Sequence, residues 1–421
     1  MVQEWRIEGG AAGGAAGGAA GGAAGGAAGG AAGGAAGGAA GGAAGGAAGG
    51  AAGGGGVSAA AVNASRDALV ERGDRSVYLP HPFGAITPDF PTNRGARQTA
   101  EIELALRLDH WDDWVIPQLV LPDLLRPLAF SQPNPETTVV TVGQLTQLTM
   151  VRPTLVQFLA EVPDVIADAD LRDDRAEEIM GQMQDIASFI WTVLPITLDR
   201  APATRLIMAI AQQFTIAVEM RFKHELACAR PSEYSPQVQP MIRTPGHGTF
   251  PMGHACEPFV AVYLLEALLR GEPVPIPNPN PPPPYLNCKP PAAYDSMCQQ
   301  LRRLAWRIAE NRVVAGVHFP IDILGGKGLA EWIAEYLELA ATYVPGRDDQ
   351  SKPEDRPKGT AYKLDGPKLK RDGQGPDTKV LPDPDKATLN GTLGDFPTHA
   401  IWHLLWKKAR KEWFWLNGEG P

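Results

Sequence analysis

Hydrophobic residues recur at intervals of three and four along most of the chain that follows residue 57. This spacing places them on one face of an α-helix, so the pattern predicts a succession of long helices. Val139, Val140 and Val142 could begin a short strand, but no alternation with a period of two continues from them. The sequence therefore predicts an all-α bundle, with helices at Ala100–Trp114, Val142–Glu161, Arg175–Leu194, Ala203–Ala229, His254–Arg270, Tyr294–Val314 and Ile321–Tyr343.

Composition divides the chain into four parts. Residues 1–56 consist mainly of tandem GGAA repeats, which cannot form a hydrophobic core, so we interpret them as a linker or as a stand-in for residues of unestablished identity. Residues 57–345 form the predicted helical catalytic domain. Residues 346–396 are rich in Pro and charged residues and are predicted to be an extended arm. Residues 397–421 predict an amphipathic aromatic helix, for which docking on the core or on a partner subunit is favoured over lying on a membrane surface.

Charge and hydropathy exclude several classes of protein. The net charge of −9 argues against a nucleic-acid-binding protein that relies on a basic surface. The uncharged apolar runs are much shorter than the roughly 20 residues that a transmembrane helix needs, so no transmembrane span is predicted. Because no secretory signal pattern opens the chain, we expect a soluble, cytoplasmic protein.

The cysteines do not form a zinc-binding or redox motif. Cys228, Cys256, Cys288 and Cys298 contain no CxxC pair and lack the spacing with histidine that zinc sites show. Reduced thiols are the favoured interpretation, and a disulfide between Cys288 and Cys298 is the alternative.

The first segment with candidate chemistry carries two cations. Lys223 and Arg230 are seven residues apart, which would place both on one face at the C-terminal end of a helix that Pro231 stops. Taken alone, such a pair is usually part of a solvated helix face.

The second segment combines a glycine-rich loop with a helix start. Gly246 and Gly248 predict a tight loop, and Pro251 stands where a first helical position would be. Gly253 and His254 then fall in the first helical turn, whose free backbone N–H groups favour an anion. His254 could act there as an acid or base, although simple capping of the helix would explain the same residues.

The third segment places a histidine between two helices. Arg312 is predicted to end one helix, Pro320 to begin the next, and His318 to lie in the break between them. Asp322, four residues after His318, can reach a nitrogen of the ring and fix its tautomer. The opposite ring nitrogen would then be available as a ligand or nucleophile.

Together these residues resemble a known family signature. The set Lys223-x6-Arg230-Pro231, Pro251-x-Gly253-His254 and Arg312-x5-His318-x3-Asp322 is similar in order and spacing to the signature of vanadium-dependent haloperoxidases and class A acid phosphatases (phosphatidic acid phosphatase type 2). The surrounding helical pattern extends the resemblance from about Ala100 to Tyr343. It implies two packed helical bundles, with an anion site between helix N-termini.

The resemblance also implies a function for each residue of the signature. Four residues would hold the oxygens of vanadate or phosphate: Lys223, Arg230, Gly253 through its amide, and Arg312. His318 would coordinate vanadium, or attack phosphorus in a phosphatase. His254 would be the acid–base group, and Asp322 would orient His318.

Two positions depart from the family pattern. Met252 stands where the family usually has a serine, and its side chain cannot donate a hydrogen bond to the anion, a loss of about 1.5–3 kcal/mol. Asn311 also replaces a serine, but its amide can still donate. Neither change removes a proposed ligand.

The surroundings of the motifs favour the haloperoxidases. The predicted absence of membrane spans argues against the membrane phosphatases, and the long helices before Lys223 are more typical of bacterial and algal haloperoxidases. In that family a histidine at the position of His247 is typical of bromoperoxidases, and a phenylalanine is typical of chloroperoxidases.

The resemblance thus implies a vanadate-dependent haloperoxidase. It would oxidise bromide with hydrogen peroxide, halogenate a small organic acceptor and form a homo-oligomer. Two alternatives stay open: an acid phosphatase acting through a phosphohistidine, and a catalytically weak oxyanion-binding or assembly protein.

Overall fold

The computed structural model describes residues 111, 114–143, 146–194, 196, 200–269, 292–342, 358–371, 374–381, 388–392 and 399–413. The Gly/Ala tract, Cys288 and nearly all of the predicted helix Ala100–Trp114 lie outside these residues. Within them, no helix combines the length and apolar character needed to cross a membrane.

Helices make up most of the described chain. They are α1 (Val115–Leu125), α2 (Leu155–Ala167), α3 (Arg172–Gln184), α4 (Ile186–Trp191), α5 (Pro202–Leu226), the single turn α6 (Pro231–Tyr234), α7 (Gly253–Leu269), α8 (Ala292–Val314), α9 (Pro320–Thr342) and α10 (Ala400–Trp413). The predicted helices that became α5, α7, α8 and α9 are confirmed to within a few residues at each end.

A mixed β-sheet shows that the all-α prediction is wrong. Its strands are β1 (Leu128–Asn134), β2 (Thr137–Val142), β3 (Thr146–Val151), β4 (Lys358–Asp365) and β5 (Thr388–Thr392), and their order in the sheet follows their order in the chain. All neighbouring strands pair antiparallel except β3 and β4, which are parallel. Two helical bundles alone therefore do not account for the fold.

The predicted helix Val142–Glu161 is wrong in its first half. Residues 146–151 form β3, in which buried and half-buried side chains alternate, and only the part from Leu155 onward is helical. Pro153 separates the two elements. It has no backbone N–H to donate, so it can continue neither the hydrogen bonding of a strand nor that of a helix interior. Thr154 then begins α2 through a capping box with Gln157, whose N–H donates to Thr154 Oγ1 over 3.3 Å.

The predicted helix Arg175–Leu194 is interrupted. At Asp185 the backbone is extended, with φ −153° and ψ 99°, and its carboxylate accepts a hydrogen bond of 3.1 Å from the Ser188 N–H. Asp185 therefore caps a new helix, α4, because a short acidic side chain is a strong N-cap.

Helix α7 lies at the centre of the described helices. It packs against α5, α8, α9 and α10, and nearly all of its side chains are buried. A helix that is apolar on every side is stable only when other elements enclose it. The first turn of α7, which contains Gly253 and His254, is therefore placed deep inside the protein.

The stretch predicted as an extended arm contributes β4, β5 and a segment that lies on α9. In that segment the carbonyls of Gly375, Pro376 and Thr378 accept hydrogen bonds from Lys327 Nζ. The backbone N–H groups of Val380 and Leu381 donate to Glu331. These contacts hold residues 374–381 against the surface of α9.

The C-terminal aromatic helix packs on the core, as the docking interpretation predicts. In α10 the indole N–H of Trp402 donates to the Leu337 carbonyl over 2.9 Å, and that of Trp413 donates to Thr204 Oγ1 over 2.9 Å. Glu412 accepts the backbone N–H groups of Ala203 and Thr204, over 2.7 and 2.9 Å. Its carboxylate therefore caps the N-terminus of α5, where the helix dipole favours negative charge.

The sheet supports the opposite end of α5. The last carbonyls of a helix lack partners within the helix, and two side chains from the sheet region supply them. Gln132 Nε2 donates to the Glu225 carbonyl over 2.6 Å, and Arg152 Nη1 reaches the Leu226 carbonyl over 3.4 Å. Both ends of the helix that carries Lys223 are thus fixed by distant parts of the chain.

We predict that Glu412→Gln lowers the free energy of unfolding by about 1–3 kcal/mol, because an amide N–H₂ would face a backbone N–H that now donates to a carboxylate. Urea denaturation measures the change. The exposed neighbour offers a matched control, and Lys411→Ala should alter the stability by no more than about 0.5 kcal/mol. Equal stabilities of the two variants would contradict the capping interpretation.

Candidate oxyanion site

Lys223 and Arg230 come together by a reversal of the chain. Helix α5 ends at Leu226, and Ala227 adopts the left-handed conformation, with φ 46°. Arg230 follows in extended backbone just before the turn α6. The prediction that both cations share one helix face is therefore wrong, although both are buried near the end of the same helix.

Lys223 is directed at the loop before α7. Its Nζ donates to the carbonyls of Gly248 and Thr249 over 3.3 and 3.4 Å. An ammonium group has three protons, so one remains for a further acceptor. Burial lowers the pKa of Lys223 to about 8, which still leaves the side chain mostly charged at neutral pH.

Arg230 connects all three motif segments. Its Nε donates to the His247 carbonyl over 3.0 Å, and its Nη1 donates to the Val317 carbonyl over 2.7 Å. Nη1 also lies 2.9 Å from His318 Nε2, while Nη2 lies 3.1 Å from His247 Nδ1. Because a guanidinium can only donate, the 2.9 Å contact identifies His318 Nε2 as an acceptor without a proton.

The loop before α7 is held by close packing against α9. Its Thr249 N–H donates to the Cys228 carbonyl over 2.9 Å, and its Met252 N–H donates to the Asp322 carbonyl over 3.1 Å. The Phe250 ring fills the space that a Cβ on Gly325 would need. Helix α7 starts at Gly253 rather than at Pro251, so Gly253 and His254 occupy its first turn as predicted.

His254 is placed to act as a base. Its Nε2 lies 3.2 Å from the Gln182 carbonyl, which can only accept, so the proton is on Nε2 and the lone pair is on Nδ1. Nδ1 is buried and has no hydrogen-bond partner within the described residues. Burial lowers the pKa of His254 well below its usual range, and the charge of Arg312 acts in the same direction, so the ring is neutral.

Arg312 leaves most of its donors unused. Its Nη2 donates to the Ile179 carbonyl over 2.9 Å and to Gln182 Oε1 over 3.2 Å. Its Nε and Nη1 are buried and have no partner within the described chain. Burial lowers the pKa of Arg312 to about 9, which leaves the guanidinium charged at neutral pH. Three N–H groups of a buried cation are thus available to an anion.

The side-chain amide of Asn311 donates to neighbouring side chains and not to the proposed anion. Its Nδ2 donates to Glu178 Oε2 over 2.9 Å and to Gln182 Oε1 over 3.0 Å. The prediction that Asn311 still donates to the anion in place of serine has no support from this geometry. The residue instead positions Gln182, the same side chain that holds Arg312.

His318 is oriented as its motif predicts. It lies in the break between α8 and α9, and its Nδ1 is 3.0 Å from Asp322 Oδ2. Thr249 Oγ1 donates to the same carboxylate oxygen over 2.5 Å, and the Phe319 N–H donates to it over 2.9 Å. Asp322 therefore accepts the proton of Nδ1 and leaves the Nε2 lone pair pointing at Arg230.

Burial and the neighbouring cations keep His318 neutral. They lower the pKa of His318 well below its usual range, with burial as the larger cause and Arg230 and Lys223 next. Burial also raises the pKa of Asp322 to about 6, although hydrogen bonds from Thr249 and Phe319 oppose the shift. At neutral pH the pair is therefore a neutral imidazole beside a largely ionised carboxylate.

The charge and the unpartnered atoms fit a tetrahedral oxyanion. Three cations, each at most 2% exposed, and the carboxylate of Asp322 leave two positive charges when the neighbouring buried carboxyl groups of Glu219 and Glu257 are protonated. The unpartnered donors of Arg312 and the Nδ1 of His254 remain beside them. Buried charges need compensation, and an anion with two negative charges would supply it. Within the described residues, no group of three or more His, Cys, Asp or Glu side chains could hold a metal cation.

His247 lies on the side of the site that is nearest to solvent. It is half-buried, and Gly246 beside it is exposed, whereas Thr249 and Phe250 are fully buried. The Nδ1 contact with Arg230 connects His247 directly to the cations. A small molecule that enters along this loop would pass the imidazole first.

Three further residues of the site were not predicted. Thr249 orients Asp322, Gln182 connects His254 to Arg312, and Glu219 lies against Gly253. Thr249 lies inside the glycine-rich loop, where a threonine has no spacing that distinguishes it from other loop residues. Gln182 and Glu219 lie on helices without any motif, and only the folded structure brings them to the site.

We predict that Gly326→Ala lowers the free energy of unfolding by about 1–3 kcal/mol, because its Cβ would overlap the Met252 carbonyl oxygen and approach Ala255 Cβ to 2.8 Å. The clash should outweigh the higher helix propensity of alanine, which is about 1 kcal/mol. Gly246→Ala is the control, since nothing lies within 4 Å of its added Cβ. A Gly326→Ala protein as stable as the Gly246→Ala protein in urea would contradict the close approach of α9 to the site loop.

Comparisons with known proteins do not assign a family to the chain. No protein-family model matches it, and no curated protein matches it.

Proposed function

We propose that this protein is a vanadate-dependent haloperoxidase that oxidises bromide with hydrogen peroxide. The observation that carries the proposal is the neutral His318, whose Nδ1 is held by Asp322 and whose Nε2 lone pair faces the buried cation Arg230. Nε2 could coordinate a metal that carries negatively charged oxygens once Arg230 donates to those oxygens in place of Nε2.

The residues around His318 have complementary functions in the proposal. Lys223, Arg230 and Arg312 would neutralise the oxygens of vanadate, and the Gly253 N–H in the first turn of α7 would donate to one of them. His318 Nε2 would be the single protein ligand of vanadium. When bound, vanadate supplies a Lewis-acidic centre that activates hydrogen peroxide toward a halide.

His254 would accept the proton that hydrogen peroxide loses. Its unprotonated Nδ1 has no hydrogen-bond partner among the described residues and could take a proton from a ligand bound beside it. The Gln182 carbonyl holds the opposite nitrogen and thereby keeps this tautomer. Burial of the site excludes bulk water, which strengthens each of these electrostatic interactions. The hypohalous acid released from the site would halogenate a small organic acceptor.

A phosphatase is the second candidate, because the same geometry activates a nucleophile. Asp322 orients His318 so that Nε2 could attack phosphorus. Phosphate would bind to the same three cations as vanadate. The geometry therefore does not distinguish the two functions, and assays of the two reactions are needed.

We predict that the protein brominates monochlorodimedone with hydrogen peroxide only when orthovanadate is supplied. His318→Ala should lose at least about 100-fold of this activity and its vanadate binding, because the only proposed ligand of vanadium is removed. A matched control is His403→Ala, since His403 lies on α10 and contacts the Ala341 carbonyl.

The same preparation is assayed with a phosphate monoester. Phosphate release that vanadate inhibits, without bromination, would replace the haloperoxidase by the phosphatase. Bromination that survives in His318→Ala would contradict the site. Binding of vanadate without turnover in either assay would favour the catalytically weak oxyanion-binding protein.

We also predict that His247→Phe lowers the ratio of bromide to chloride oxidation by about tenfold or more. The change removes the imidazole that contacts Arg230 on the solvent side of the site, where a halide would arrive. Steady-state kcat/KM values for the two halides, measured at one pH, give the ratio. An unchanged ratio would show that His247 does not select the halide.

A further inference from the structure

One carboxyl group beside the cations is not explained by the proposed reaction. Glu219 lies on α5, one turn before Lys223, and is completely buried. Neither of its oxygens has a hydrogen-bond partner within the described residues. A buried carboxyl group without a partner is costly, so such a group is expected to be neutral or to meet a ligand.

The carboxyl group lies against the first turn of α7. A Cβ on Gly253 would be 2.6 Å from Glu219 Oε1 and 3.0 Å from Oε2. Only a glycine therefore fits at this position while Glu219 keeps its place. The amide of Gly253 is one of the groups that would hold the oxyanion, so the Glu219 carboxyl group lies directly beside the proposed site.

Charged and titratable groups surround Glu219 on two elements and a loop. Glu257 and Cys256 lie on α7, Lys223 lies on α5, and Arg230 lies in the loop after α5. Burial raises the pKa of Glu219 well above its usual range, and the charge of Glu257 acts in the same direction. Lys223 and Arg230 oppose the shift.

We propose that Glu219 is a protonated oxyanion-binding residue, whose carboxyl O–H donates a hydrogen bond to one oxygen of the bound anion. This inference rests on the proposed function, since it requires an oxyanion in the pocket. The donor supplies what Met252 lacks at the start of α7, because a thioether has no proton to donate. A neutral carboxyl group does so without adding a negative charge that would repel a dianion.

Inorganic phosphate is the probe, and isothermal titration calorimetry at pH 7 measures its affinity. Glu219→Gln keeps an N–H donor at the same place and should bind phosphate within about threefold of the wild type. Glu219→Met has similar volume but no donor, and should bind about tenfold more weakly. Glu257→Gln changes the neighbouring buried carboxyl group, which accepts from Gln212 Nε2 over 3.1 Å, and should stay within about threefold.

Infrared spectroscopy detects the carboxyl proton of Glu219 directly. It can therefore be applied to the wild-type protein, without relying on Glu219→Met. The wild type should show the C=O stretch of a protonated carboxyl group at neutral pH, and phosphate should shift it to lower frequency. Glu219→Gln should lose this phosphate-sensitive band, and Glu257→Gln should retain it. A purely structural function of Glu219 would not make the band sensitive to phosphate.

The outcomes separate the two proposals. Tighter binding by both Glu219→Gln and Glu219→Met would mean that the group is an ionised carboxylate that repels the anion, which overturns the inference. Equal affinities in all variants, or no phosphate-sensitive band, would also overturn it and leave the oxyanion site intact. A wild-type protein that binds neither phosphate nor vanadate would overturn the proposed function as well.

Discussion

The arrangement of the site follows from the burial of three positive charges, those of Lys223, Arg230 and Arg312. Like charges in surroundings of low dielectric repel strongly, and each also loses its hydration. The protein offsets this cost with acceptors, most of which are backbone carbonyls of the loops between helices. They come from Gly248 and Thr249 for Lys223, from His247 and Val317 for Arg230, and from Ile179 for Arg312. The irregular backbone between the helices thus allows Lys223 and Arg230 to be buried, whereas Arg312 relies on acceptors within α3.

Carbonyl acceptors can hold cations only if the loops that present them are fixed. Arg172 contributes to this from α3, since its guanidinium donates to the carbonyls of Val238, Gln239 and Val314. The turn after α8 also depends on Gly316, whose φ of 80° favours glycine and whose missing Cβ leaves room for Arg172. Distant elements complete the support, because α10 caps one end of α5 and the sheet region holds the other. The site therefore depends on contacts far from its reacting atoms.

The sequence predicted the parts of the molecule that local patterns determine. The long helices α5, α8 and α9 place apolar residues at three-to-four spacing, α7 is a long apolar segment, and Pro320 indicates the break that contains His318. The strands were missed because β2 reads Thr-Thr-Val-Val-Thr-Val, in which hydrophobic and polar residues do not alternate although burial does. Apolar residues at 142, 145, 148 and 151 are also spaced as in a helix, and this concealed β3.

The residues of the site were also predicted only in part. The residues with fixed spacing were identified, and the pairing of His318 with Asp322 followed from their separation of four residues. Glu219 and Gln182 reach the site through tertiary packing, which no local spacing reveals. The placement of Arg230 depended on the left-handed Ala227, a conformation that alanine rarely adopts and that its sequence does not signal.

The parallel pairing of β3 with β4 has a consequence for how the chain folds. Thr146 pairs with Thr360 and Val151 with Asp365, so this contact spans the whole segment that carries the site. Contacts between residues so far apart in sequence slow folding, because a long loop must close before they form. During synthesis β3 can form a hairpin with β2 early, but its other edge stays open until residue 365 has left the ribosome. An open strand edge is a template for aggregation, so we expect nascent chains to need protection by a chaperone until β4 arrives.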